Sequence, residues 1–221
     1  MFFLIVLQVF VVMELCVNGD LSEYIKAKGP LSEEQSRKFL VQLCAAVQYL
    51  HDNQVTHRDL KCENLLLDRH DNIKVCDFSM SKRLTYTDGQ LDLSHTFCGT
   101  NNYAAPEILR CQPYNPMATD VWSMGVILFK MLYNSLPFYS SSVLKMVQYQ
   151  MRQNINFLDS PIVSPPAVAL IQSMLHPNTE YRITIERILK NPWMEQEGGA
   201  KESSRVESGQ KSGEDEGTSD R

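Results

Sequence analysis

The sequence is poor in the features that announce several classes of protein. Its six cysteines (Cys16, Cys44, Cys62, Cys76, Cys98 and Cys111) form no C-x-x-C pair and keep no His/Cys metal spacing, which argues against the common zinc motifs. A disulfide framework is not expected in a chain of 221 residues, long enough to bury a real core. The thiols therefore read as reduced, which points to the cytoplasm, with the nucleus as the alternative. No G-x-G-x-x-G string occurs, so no phosphate cradle of that kind is encoded. Excess charge is scarce as well. The net charge is −5, and residues 195–221 carry eight acidic side chains against four basic ones, leaving the rest close to neutral. That argues against a nucleic-acid partner held by bulk positive charge. There are no internal repeats.

Long apolar runs are lacking too. Met1–Met13 is uncharged, but Glu14 cuts it short of the about 20 apolar residues a membrane helix needs. Neither a basic n-region nor a small-residue cleavage site supports a secretory signal. The third reading takes Val9-Phe10-Val11-Val12-Met13 as a buried β-strand, since β-branched and aromatic residues dominate it. A membrane partner is not expected, and an anchor is the weaker alternative.

What is present is an ordinary globular composition, 43% hydrophobic and 21% charged. Asn18-Gly19-Asp20 is a turn whose aspartate can cap a short helix over 21–27. Ser32-Glu33-Glu34-Gln35 reads as a capping box opening a long helix that ends near Asp52-Asn53. Leu65-Leu66-Leu67 and Ile73-Lys74-Val75 predict two short strands around a turn at 68–72. Residues 82–100 are polar and aperiodic, which predicts a long functional loop. A helix beginning at Asp120 is apolar nearly all round and hence central. Further helices are expected over 143–151, 166–174 and 184–190, with Pro192-Trp193 the last packed point. Beyond it, 195–221 is rich in Ser, Gly, Glu and Lys and is expected to be a disordered polar tail.

The chemistry gathers at His57-Arg58-Asp59-Leu60-Lys61-Cys62-Glu63-Asn64, with Asp77-Phe78-Ser79 beginning thirteen positions after Asn64. A carboxylate, a lysine and an amide lie within six positions, and a second carboxylate follows. Phosphoryl transfer needs that inventory: a proton acceptor, a cation for phosphate charge and oxygen ligands for Mg²⁺. These strings resemble the catalytic loop and metal-binding motif of eukaryotic protein kinases, and Ala105-Pro106-Glu107 resembles their Ala-Pro-Glu motif. The resemblance runs from about Val9 to Trp193. Lys61 and Thr100 match the serine/threonine class. The wording of 101–109 is similar to the testis-specific serine/threonine kinases of the calmodulin-kinase-like group.

The resemblance implies an α+β, mainly α, fold: a kinase-like large (C-terminal) lobe with only the hinge strand of the small lobe. Residues 1–17 would be strand and hinge remnant, 18–194 the lobe and 195–221 the tail. It implies that Asp59 orients the substrate hydroxyl and takes its proton, and that Lys61 neutralises the transferring γ-phosphoryl. Asn64 and Asp77 would hold Mg²⁺ against ATP. Glu14 and Cys16 would meet the adenine edge through their backbone, and Asp20 the ribose. Thr96 would carry a regulatory phosphate that pairs with Arg58. Thr100 would pack against Asp59 and Lys61. Glu63 could attract a basic residue of the substrate, or be an ordinary exposed carboxylate. Structural roles are implied for His57 and Phe78, stacking in the core, for Asp120, accepting from the catalytic-loop backbone, and for a Glu107–Arg182 pair. A complete kinase would need some sixty further residues ahead of Val9, by the same resemblance. These would carry the glycine-rich loop, a strand lysine and its glutamate. Ser79 stands where glycine is usual, and Cys62 where proline is frequent.

Two expectations follow. One is a protein serine/threonine kinase acting on protein substrates, here as an N-terminally truncated chain. The other is a catalytically inactive kinase-like lobe that acts as a binding or scaffold module, with a partner over its exposed top.

Overall fold

Asp20 starts the first helix: its Oδ1 accepts from the Glu23 amide at 3.0 Å, satisfying one of the donors a helix start leaves open. The structure, a computed structural model, describes residues 11–195. Helix α1 (Leu21–Lys28) ends at Gly29, whose amide closes on the Ile25 carbonyl. Ser32 caps α2 (Glu33–Asp52) through the Gln35 amide at 3.2 Å. The capping box closes on that side, while the Gln35 side-chain amide donates to the Tyr24 hydroxyl and ties α2 to α1.

Strand β1 (Val55–Thr56) leads into the loop at 57–61, a 3₁₀ turn follows at Cys62–Asn64, and β2 (Leu65–Leu67) pairs antiparallel with β3 (Ile73–Val75). The expected loop over 82–100 is more ordered than its polarity implied. β4 (Lys82–Arg83) pairs with β1, and β5 (Tyr86–Thr87) folds back on β6 (Gln90–Leu91). The two-residue turn is Asp88-Gly89, both at positive φ (51° and 76°), which matches the twist of a hairpin.

After α3 (Pro106–Leu109), helix α4 (Pro116–Tyr133) forms the centre of the described residues. It begins four residues before the expected Asp120, because Asn115 caps it and Pro116 fits its first position. Packed against α2 on one side and α6 (Pro165–Met174) on another, it buries Trp122, Met124, Ile127 and Phe129 completely. Gly125 permits the close approach of α6, since a Cβ there would sit 2.9 Å from the Met174 Cβ and the Leu175 Cδ2. Helices α5 (Val143–Met151), α7 (Ile185–Leu189) and α8 (Pro192–Glu195) complete the set. Trp193 is wholly buried, with its indole N–H on Glu33. The architecture is mainly helical, with three separate two-stranded ribbons among the described residues.

The expected strand at 9–13 needs correction where it can be seen. Val11, Val12 and Met13 form no strand and are 74%, 96% and 72% exposed. Among the described residues no other strand pairs with them, and unpaired extended backbone gains nothing from strand geometry. Val9, Phe10 and the preceding residues lie outside the described residues, as does the tail from 196 onward. All six cysteines are free. No described helix is long and apolar enough to cross a membrane.

Candidate active site

The loop that begins at His57 hangs from α4. Asp120, 1% exposed, accepts the His57 amide at 3.1 Å on Oδ2 and the Arg58 amide at 2.9 Å on Oδ1. His51 of α2 adds its Nε2 at 2.9 Å. These bonds offset an unfavourable backbone, since Arg58 has φ +65°, a region that side chains of its size seldom adopt. His57 fixes the next residue. Its Nε2 faces the Cys76 carbonyl at 2.9 Å and so carries the proton, which leaves Nδ1 to accept from the Asp59 amide at 3.3 Å.

Asp59 stands at the centre of the polar cluster. Its Oδ1 accepts from the Thr100 amide and hydroxyl, both at 2.9 Å, and its Oδ2 from Lys61 Nζ at 2.8 Å. Lys61 also reaches the Thr100 hydroxyl oxygen at 3.2 Å. Hydrogen bonding to Asp59 raises the lysine pKa above its ordinary value, so the ammonium stays charged. Gly99 lets Thr100 come this close: it has φ +114°, and a Cβ there would lie 2.9 Å from the Arg58 carbonyl oxygen. Asn64 is buried, and its Nδ2 donates to the Asp59 carbonyl at 2.9 Å.

The β2–β3 ribbon sets Asn64 beside the segment that carries Asp77, for the Cys76 amide donates to the Asn64 carbonyl at 3.0 Å. Asp77 is exposed and left-handed at φ +61°. The Ser79 hydroxyl at 2.6 Å and the Ser79 amide at 3.3 Å hold its carboxyl below the ordinary value, with Lys61 adding to the effect. The serine in place of glycine is compatible with this turn: the positive φ falls on Asp77, not on Ser79. The donor set suits a hard cation. Asn64 uses its amide nitrogen on Asp59, which leaves Oδ1 without a hydrogen-bond partner among the described residues, and Asp77 supplies an ionised carboxylate.

The remaining candidates are less closely joined. Glu14 is exposed and pairs with Lys74 at 3.3 Å. The Cys16 carbonyl accepts from the Gly19 amide at 3.4 Å, and Asp20 caps α1 while its backbone bridges to Leu66. Thr96 is exposed, and its carbonyl accepts from the Tyr114 hydroxyl at 2.7 Å. No hydrogen bond joins Thr96 to Arg58, whose Nε donates to the Met80 carbonyl at 2.6 Å and whose Nη1 reaches Ser94 Oγ at 3.5 Å. The Glu107–Arg182 pair forms as a buried fork at 2.7 and 3.0 Å. Phe78 requires a correction: its ring lies 5.1 Å from that of His57, tilted by 59°, but it is 44% exposed and not in the core. Its outer face meets no covering element among the described residues. Sequence reasoning missed His51 as a support of Asp120, and Lys130, whose Nζ lies 3.4 Å from Glu63.

The model of the protein kinase domain matches residues 6–194. This chain is a member of the protein kinase family. Among curated proteins, the kinase chain is 47% identical over 189 residues to testis-specific serine/threonine-protein kinase 1 of Homo sapiens, covering 85% of this chain and 52% of that protein. It is 46% identical to testis-specific serine/threonine-protein kinase 2 of Mus musculus, with 85% and 53% covered. Likeness extends to CBL-interacting protein kinase 31 of Oryza sativa subsp. japonica, 43% identical with 84% and 41% covered. The kinase chain thus spans about half the length of the curated relatives named first.

Proposed function

We propose that this chain carries the catalytic loop and metal-binding side of a serine/threonine kinase site, as the large lobe of that fold. The observation that carries the reading is the joint grip of Lys61 and Thr100 on Asp59, at 2.8 to 2.9 Å. A carboxylate so fixed can orient a serine or threonine hydroxyl of a protein substrate and take its proton at Oδ2, where Lys61 is the one close donor and Asn64 Nδ2 lies at 3.5 Å. The Lys61 ammonium, kept charged beside it, stabilises negative charge on the γ-phosphoryl of ATP as the bond to the leaving oxygen breaks. Asn64 and Asp77 would hold Mg²⁺, which when bound neutralises phosphate oxygens. On this reading the backbone at Glu14 and Cys16 meets adenine and Asp20 the ribose.

For the 221 residues by themselves we propose weak ATP binding and negligible turnover. No glycine-rich loop occurs in the sequence, and Leu15, Val17 and Phe78 are exposed around the nucleotide side. An open site stays wet, which screens the charges that positioning would exploit. Exposed apolar surface of this kind also favours the second reading, a lobe that binds a partner without turnover. Calorimetric titration of the 221-residue chain with Mg-ATP, beside a radiolabelled transfer assay, separates the two. A fusion that places the N-terminal residues of human testis-specific serine/threonine-protein kinase 1 ahead of Val9 should phosphorylate a serine peptide while the short chain does not. A folded fusion that transfers nothing would overturn the kinase reading, and micromolar binding with clear transfer by the short chain would overturn the second proposal.

Thr96 is proposed as the regulatory site, since its exposed position leaves it open to modification. A phosphate there adds close to two negative charges and could draw Arg58 from the Met80 carbonyl. Phosphopeptide mapping of protein from its native cells should find Thr96 occupied. Occupancy of Ser94 or Thr87 with Thr96 always bare would contradict this.

A further inference from the structure

A cleft of about 460 Å³ opens beside Lys61 and Thr100, and Glu63, Tyr103, Lys130 and Asn134 form much of the rest of its lining. Lys61 and Thr100 both touch Asp59, so a polypeptide offering a hydroxyl to Asp59 lies across this cleft. The groups lining the cleft therefore read the residues flanking that hydroxyl. Glu63 alone would favour a basic neighbour. It is not alone: Lys130, near the end of α4, places Nζ 2.8 Å from Ser22 Oγ, 3.1 Å from the Tyr103 hydroxyl and 3.4 Å from Glu63 Oε1. Three acceptors match the three protons of an ammonium, so the charge is fixed in this position. The Lys130 side chain keeps 17% of its surface exposed, and Glu63 keeps 45%. With Lys61 matched by Asp59 at 2.8 Å, it is the Lys130 ammonium that offsets Glu63 in this lining.

We infer that Lys130 is a specificity-determining residue, which turns the cleft against basic residues and towards an acidic residue beside the substrate hydroxyl. This rests on the kinase reading above for the direction in which the polypeptide is used, but it concerns binding and is tested by binding. A charge in a half-open cleft discriminates modestly, while like charges placed together in it discriminate more.

The probe is a set of fluorescent alanine-based serine peptides that carry one Glu or one Arg at each flanking position in turn. Their affinity for the full 221-residue chain is read by anisotropy. Glu at one position should strengthen binding about threefold, and Arg at that position should weaken it about as much. Lys130→Glu puts two carboxylates together and should reverse the order, with Arg now favoured about tenfold. Lys130→Met keeps the apolar stem and removes only the charge; it should erase the preference for Glu, so the test survives if the glutamate variant fails to fold. Arg strengthening binding to the unaltered chain, an order that neither variant changes, or no binding by any peptide would each overturn the inference. Peptide selection of the expected kind in a fusion that transfers no phosphate would leave this inference standing while the kinase reading fell.

Discussion

Asp59 and Asp120 are carboxylates of nearly equal burial, 9% and 1% exposed; the first belongs to the eight-residue loop at 57–64 and the second holds that loop's backbone from α4. Their partners differ in kind. Asp120 takes two backbone amides and an imidazole, groups with no alternative partner in the interior. Asp59 takes an ammonium, a hydroxyl and one amide beside the cleft that Lys61 and Thr100 border. A carboxylate that satisfies backbone donors in the interior holds shape. One that is held largely by side chains at the edge of a cleft, with a charged lysine fixed to it, is placed as the proposed proton acceptor requires. Burial alone does not separate the two, whereas the identity of the donors does.

The sharpest way to break that comparison is to remove each carboxylate and measure unfolding. Asp120→Ala leaves the His57 and Arg58 amides and His51 unsatisfied, at about 1–3 kcal/mol each when truly buried. Chemical denaturation should show a loss of at least about 3 kcal/mol, allowing for partial relaxation. Asp59→Asn keeps shape and lets Oδ1 still accept from Thr100, but it takes the carboxylate from Lys61 in a pair whose side chains are only 22% and 10% exposed, so it should cost about 1–2 kcal/mol, less than Asp120→Ala. Equal losses from the two variants would dissolve the distinction.

The effect expected at Asp68 is smaller and lies wholly on the structural side. At the β2–β3 turn its carboxylate accepts the Asn72 side-chain amide, the Asn72 amide and the His70 amide, which hold its pKa down to about 2. A depressed carboxyl pKa means stability that is present above the ordinary value of 3.8 and is lost as pH falls through about 2. Carboxyl resonances followed by NMR should show Asp68 titrating near that lower value, and Asn72→Ala should bring it back up. A midpoint near 3.8 in the unaltered chain would show that the turn does not hold it.

Much of this was legible in the residues, for identifiable reasons. Capping by Asp20 and Ser32, the β2–β3 ribbon and the Glu107–Arg182 fork follow from local spacing or from the family motifs, and all appear as expected. The hairpin at Asp88-Gly89 carried a readable turn signal that the polarity of its surroundings concealed. Asn115-Pro116 was an equally plain helix start, overshadowed by the apolar run after Asp120. Composition favours a strand at Val11–Met13, but a strand needs a neighbour, and composition cannot supply one. The contact between Lys130 and Glu63 spans sixty-seven positions and obeys no local spacing rule, so only the folded chain reveals it.

On the proposed kinase reading, Asp59 acts on the substrate and Asp120 does not. The direct measurement is the initial rate of radiolabelled phosphate transfer from Mg-ATP to a serine peptide by the fusion carrying an N-terminal kinase segment ahead of Val9, with and without Asp59→Asn, alongside the melting curve of each. The rate should fall by about 10²–10⁴ while the melting curve shows the variant still folded at the assay temperature. A variant within a few fold of the unaltered fusion would contradict the account.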